Sequence, residues 1–128
     1  MSIPQSGGGQ IENMNQLSEY LESGCKLTKD WRIGTEHEKF GFDKSTLKPL
    51  PYEGSCSIKS MLEGLRDTFD WTPVYEQDNL IGLEKNGANV SLEPGGQLEL
   101  SGAPLESIHQ TCDEANLHLK EVKQIADK

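Results

Sequence analysis

The sequence is short of the residues that mark several large classes of function. Its 128 residues carry 12 Lys and Arg against 21 Asp and Glu, a formal net charge of -9. A nucleic-acid surface needs a basic stripe to attract phosphate, so this excess of acid argues against one. No apolar run approaches the ~20 residues that cross a bilayer as a helix, which argues against a membrane partner. Met1 to Gln10 has neither the basic and apolar parts of a secretory signal nor an Arg-rich transit pattern, and a cytoplasmic chain is expected on that ground. Cys25, Cys56 and Cys112 are odd in number and form no C-x-x-C pair, so reduced thiols are expected, without a zinc site. Aromatic residues make up only 6% and hydrophobic residues 34%, which suits one domain of ordinary size or part of a larger one.

Several catalytic signatures are missing as well. There is no G-x-x-x-x-G-K-[ST] or G-x-G-x-x-G phosphate loop and no G-x-S-x-G elbow. His37-Glu38 opens like the H-E-x-x-H zinc motif, but Gly41 stands where the second His belongs.

What is present has a clear order. Residues 1–10, with Gly7, Gly8 and Gly9, read as a flexible lead-in, and residues 11–128 as the structured part. Ile11, Met14, Leu17, Tyr20 and Leu21 recur at helical spacing, with Gly24 as the stop. Ile58, Met61, Leu62, Leu65 and Phe69 predict a second helix. Leu105, Ile108, Cys112, Ala115, Leu119, Val122 and Ile125 predict a third, beginning near Pro104. All three stripes are expected to face a core. The third is still running at Ile125 when the chain stops at Lys128, which suggests an N-terminal fragment. Strand-like segments lie between: Trp31 to Phe42, Val74 to Glu76, Asn79 to Glu84, and Asn89 to Ser101, with Asn86-Gly87 as a hairpin turn. This order predicts an α+β fold with an antiparallel sheet.

Two segments could carry chemistry. In a strand, side chains two apart share a face, so Glu36 and Glu38 project together beside Phe40 and Phe42. In the Asn89 to Ser101 strand, Val90, Leu92, Leu98 and Leu100 share one face. Asn89, Ser91, Glu93, Gln97, Glu99 and Ser101 share the other if the strand is continuous; Pro94-Gly95-Gly96 predicts a bulge, which would alter that parity, or a close backbone approach. Glu36, Glu38, Glu93 and Glu99 would then meet around one or more hard cations such as Mg²⁺, which take oxygen ligands and bridge carboxylates to nucleotide phosphates. Such ions would let an acidic protein hold ATP and an acidic substrate together. Half-exposed strands with alternating charges give the same pattern. His37 falls on the opposite face, in a packing or hydrogen-bonding role. His109 and His118 lie off the apolar stripe of the third helix and are expected at the surface. Cys112 on that stripe, Trp31 and Trp71 are expected in the core.

Arg32 to Phe42 (RIGTEHEKFGF) and Ser91 to Pro104 (SLEPGGQLELSGAP) resemble the plant and proteobacterial type of glutamate–cysteine ligase. The similarity continues through Ser23 to Lys26 and His109 to Cys112, and the lead-in looks like that of a bacterial member. The resemblance implies a glutamine-synthetase-like fold, incomplete in this chain, whose antiparallel sheet carries metal-binding glutamates. It implies an ATP-dependent ligase that joins the γ-carboxylate of L-glutamate to L-cysteine through a γ-glutamyl phosphate, the first step of glutathione synthesis. Mg²⁺ is the implied cofactor, Glu36, Glu38, Glu93 and Glu99 its ligands, and the remainder of the same polypeptide the partner that completes the site. Cys112 is similar to a cysteine that takes part in redox regulation in plant members. Two other readings stay open: a carboxylate–amine ligase with a different acceptor, and a non-catalytic metal- or nucleotide-binding module.

Overall fold

The computed structural model describes residues 9–128. Most of the predicted lead-in, residues 1–8, lies outside the described residues. The order is α1 (Met14–Ser23), a short 3-10 turn (Thr28–Asp30), β1 (Glu36–Lys39), α2 (Ile58–Phe69), β2 (Thr72–Glu76), β3 (Asn79–Lys85), β4 (Ala88–Glu93), β5 (Gln97–Ser101) and α3 (Ile108–Ala126). Each helix starts at a residue whose side chain accepts from a free first-turn N–H: Asn13 for α1, Ser57 for α2 and Ser107 for α3. Ser57 with Ser60, and Ser107 with Gln110, close reciprocal capping boxes. Ser107 therefore begins α3 later than Pro104, and Leu105 instead bridges Ile33.

The five strands form one antiparallel sheet in the order β1-β5-β4-β3-β2, the α+β arrangement predicted. Asn86 (φ 52°) and Gly87 (φ 84°) both take positive φ and make the tight β3–β4 hairpin. The expected single strand from Asn89 to Ser101 is instead two strands. Gly95 (φ 84°) and Gly96 (φ 76°) turn the chain back, and Glu93 pairs with Gln97 across a three-residue loop. Cross-strand partners share a face, so the hairpin keeps the parity expected of a continuous strand, which a bulge would have altered. The strand predicted over Trp31 to Phe42 is shorter than expected. Only Glu36–Lys39 joins the sheet, while Ile33 and Phe42 make isolated bridges to Leu105 and Pro49.

The apolar face of the sheet packs against α2 and α3. Leu62 and Leu65 of α2 meet Leu83, Val90, Leu98 and Leu100 in one buried cluster, with Trp71 at its edge. Truncating one of these leucines to Ala costs about 2–5 kcal/mol, so this cluster holds the sheet to its helices. Gly64 lets α2 approach α3, since a Cβ there would lie 2.5 Å from Ile125 Cγ2.

Three expectations about the core do not hold. The stripe of α1 is exposed, from Ile11 and Met14 to Tyr20 and Leu21: periodicity marks an apolar face but not what covers it. Trp31 is 64% exposed, its indole N–H satisfied locally by the Lys26 carbonyl at 3.0 Å. The α3 stripe meets the core only in part: Leu105, Val122 and Ile125 pack against it as expected, but the buried face also takes in polar residues. Thr111, His118 and Glu121 are buried, while Ile108, Cys112 and Leu119 are exposed. Two polar residues on that side have specific partners: Glu114 accepts from the Ala103 N–H at 2.9 Å, and Glu121 from Trp71 Nε1 at 3.0 Å.

Candidate functional site

Sheet register decides which side chains can meet. Glu36 pairs with Ser101, and Glu38 with Glu99, across β1 and β5. Glu99 pairs with Ser91, Ser101 with Asn89, and Gln97 with Glu93, across β5 and β4. All of these project from the sheet face opposite the leucine core. The structure thus puts the four predicted glutamates on one face, with Glu38 and Glu99 directly opposed. It does not gather them into a cage: among the described residues, no three His, Cys, Asp or Glu side chains are placed to hold a metal ion. Glu36 and Glu38 are exposed, whereas Glu99 is 3% exposed.

Burial pushes the Glu99 carboxyl above its ordinary range; the Ser101 hydroxyl pulls it down, and a hydrogen bond with Glu93 raises it again. Ser101 Oγ donates to Glu99 Oε1 at 2.8 Å. Ser91 Oγ and Asn89 Oδ1 are buried on the same face without a partner. The donor set is oxygen throughout, and a buried carboxylate flanked by orphaned oxygens fits a hard divalent cation. Phe40 and Phe42 continue the β1 parity, their ring centroids 6.4 Å apart, and both are exposed beside the acidic row. At the other end of the sheet lies an open concavity of about 450 Å³, lined by Thr72, Glu84, Asn86 and Asn89.

The opposite face holds the histidines. His37 faces the helices, as predicted, with Nδ1 buried and unpartnered. His109 is exposed, as predicted. His118, expected at the surface, is 2% exposed, and neither ring nitrogen has a partner. Burial lowers its pKa to about 4, and the positive charges of Lys39 and His37 push the same way. Burial likewise lowers Lys39 to about 8. A cavity of about 90 Å³ lies beside His118, with Glu114, Glu121, Lys85 and Trp71 in its wall. Sequence reading missed this cluster because Glu and His at helical spacing read as a solvated face until their partners are known. Alternation did place Ser91, Asn89 and Ser101 on the acidic face, but gave no reason to single them out. Cys25, Cys56 and Cys112 are all free and exposed; Cys112 is not the buried hydrophobe expected, because the face of α3 that carries it points outward. No helix among the described residues is long and apolar enough to cross a membrane.

Comparison with known proteins bears on the same segments. The chain is 55% identical over 112 residues to a chloroplastic glutamate–cysteine ligase of Medicago truncatula, covering 88% of this chain and 22% of the relative. It is 56% identical over 112 residues to the chloroplastic enzyme of Nicotiana tabacum, covering 88% of this chain and 21% of that one. It is 53% identical over 112 residues to that of Arabidopsis thaliana, with 88% and 21% covered. The chain spans about a fifth of the length of the curated relatives it matches. These relatives are chloroplastic by name, which overturns the expectation of a cytoplasmic protein drawn from the first ten residues. Residues 32–128, from the first acidic motif through α3, match the family model described as Glutamate-cysteine ligase family 2 (GCS2), and the chain belongs to that family.

Proposed function

We propose that this chain supplies the acidic sheet of an ATP-dependent ligase that joins the γ-carboxylate of L-glutamate to the amine of L-cysteine, the first step of glutathione synthesis. Residues 11–128 are, on this reading, the N-terminal part of a glutamine-synthetase-like catalytic domain completed by the rest of the polypeptide. The similarity to named glutamate–cysteine ligases supports the reaction. The observation that carries the assignment of residues is the shared face of Glu36, Glu38, Glu93 and Glu99, with Glu38 opposite Glu99.

In the reaction ATP transfers its terminal phosphoryl group to the γ-carboxylate, giving γ-glutamyl phosphate and ADP. The cysteine amine then attacks the acyl carbon, loses a proton and expels phosphate. Mg²⁺ supplies neutralisation of the charge on the transferring phosphoryl group. The chain's own part is positional. Glu36 and Glu38 would hold the cation from β1, and Glu93 and Glu99 from the β4–β5 hairpin. Because β1 and β5 are hydrogen-bonded neighbours, the two pairs are fixed relative to each other by backbone pairing and not by flexible loops.

The test is phosphate release by the full-length polypeptide from Mg-ATP with glutamate and a panel of amines. Cysteine-dependent release with γ-glutamylcysteine as product is the expected result. Release with another amine would move the acceptor, and none with any amine would leave a binding module.

A further inference from the structure

Ser91 is the most enclosed polar side chain of the acidic face. It is 0% exposed, and its Oγ has no hydrogen-bond partner among the described residues. A buried hydroxyl without a partner has lost its water and gained nothing in return, which is rare in a well-packed sheet. Its position indicates the missing partner. Ser91 stands opposite Glu99 on one side and opposite Gly82, which has no side chain, on the other. Two residues earlier, Asn89 leaves a second buried oxygen unpartnered on the same strand and the same face. Glu99 already has one hydroxyl partner, Ser101 Oγ, at 2.8 Å on Oε1.

We propose that Ser91 is a positioning residue for Glu99: when a divalent cation lies on this face and draws Glu93 out of its hydrogen bond with Glu99, the Ser91 hydroxyl donates to the Glu99 carboxylate beside Ser101. The inference rests on the reading of the acidic face as a cation site. A ligating carboxylate presents one direction to the ion, and donors from neighbouring residues fix its orientation. Ser101 supplies such a donor from the same strand. Ser91 supplies it from the next strand, so the β4–β5 pairing itself sets how Glu99 is aimed.

The experiment is a titration of Mn²⁺ into the full-length polypeptide, following free Mn²⁺ by electron paramagnetic resonance, with Ser91→Ala, Ser91→Thr and Glu99→Gln variants. Ser91→Ala is expected to weaken Mn²⁺ binding about 10-fold, the usual effect of losing a group that orients a ligand. Its melting temperature without Mn²⁺ should equal or exceed that of the wild type, because an unsatisfied hydroxyl has been removed. Ser91→Thr keeps the hydroxyl and has Gly82 beside it, so it should restore most of the affinity. A change below threefold in Ser91→Ala, or equal weakening in Ser91→Thr, overturns the role of Ser91. In either case, tight binding by the wild type and its loss in Glu99→Gln would leave the cation site standing. No Mn²⁺ binding by the wild type overturns both.

Discussion

Glu38 of β1 and Glu99 of β5 stand directly opposite one another in the sheet, two carboxylates at paired positions on the same face. Like charges so placed repel and destabilise a strand pair. The burial of Glu99 sharpens this conflict, since it raises the carboxyl's pKa before any neighbouring charge is counted. An arrangement that is unfavourable for the fold is what the proposed cation site would use, since a cation between the two carboxylates would offset their repulsion.

Replacing Glu99 by Gln keeps the shape and the acceptor for Ser101 while removing the buried charge. The melting temperature without divalent cation is expected to stay the same or rise. Mg²⁺-dependent phosphate release should fall by roughly 100-fold or more. Glu38→Gln should lose activity to a similar degree with little change in melting, because Glu38 is exposed. Unchanged turnover in either variant removes that residue from the cation site.

His118 makes stability depend on pH. Its folded pKa is about 4 against an ordinary 6.5, so between these values the unfolded chain takes up a proton that the folded chain refuses. Stability is complete above pH 6.5 and lost as pH falls, at about 1.4 kcal/mol per unit and about 3 kcal/mol in all. His37 and Lys39 face it from β1, and Glu114 and Glu121 share its helix and the adjoining cavity with Lys85. Urea titrations from pH 7 to pH 4.5 should show this slope in the wild type and a flatter one in His118→Leu. Parallel slopes would mean that His118 is charged in the folded state.

Glu121 and Trp71 are fifty positions apart in sequence and joined by a buried hydrogen bond of 3.0 Å. Glu121→Ala strands the indole N–H and should cost about 1–3 kcal/mol. Glu121→Gln keeps an acceptor and should cost less than half as much. If the two variants unfold at the same urea concentration, the bond contributes nothing measurable and the charge or the packing accounts for the loss.

The hairpin that sets Glu93 against Gln97 depends on glycine. Gly96 has φ 76°, and a Cβ there would meet only Ile58 at an ordinary 3.5 Å, so strain in Gly96→Ala comes from the backbone. The expected cost is about 1–2 kcal/mol. Cation affinity should fall as well, because the turn fixes how Glu93 stands relative to Glu99. A variant as stable as the wild type would show that the loop can adopt another turn.

Strand content was largely legible from local pattern. Alternation from Asn89 to Ser101 separated Val90, Leu92, Leu98 and Leu100 from the acidic row, and the row is where it was expected. Asn86-Gly87 announced its turn because positive φ at two successive positions is a local property of the backbone. The Pro94-Gly95-Gly96 segment was legible only as an interruption. A bulge and a hairpin both need glycine at positive φ, and only strand pairing distinguishes them. The helices divided differently. The stripe of α2 met the core, that of α1 stayed exposed, and that of α3 met it only in part, through Leu105, Val122 and Ile125.

The sequence by itself determined most of the elements, the Asn86-Gly87 turn, the alternation within each strand, and the family. Each of these depends on residues close in the chain or on motifs that survive as strings. Only the tertiary structure decided that Glu38 opposes Glu99, that Ser91 is sealed beside it, and that His118, Glu114 and Glu121 lie inside the protein. Those facts depend on partners tens of residues away. Which polar side chains end up covered depends on the elements that pack over them, and no local pattern records that.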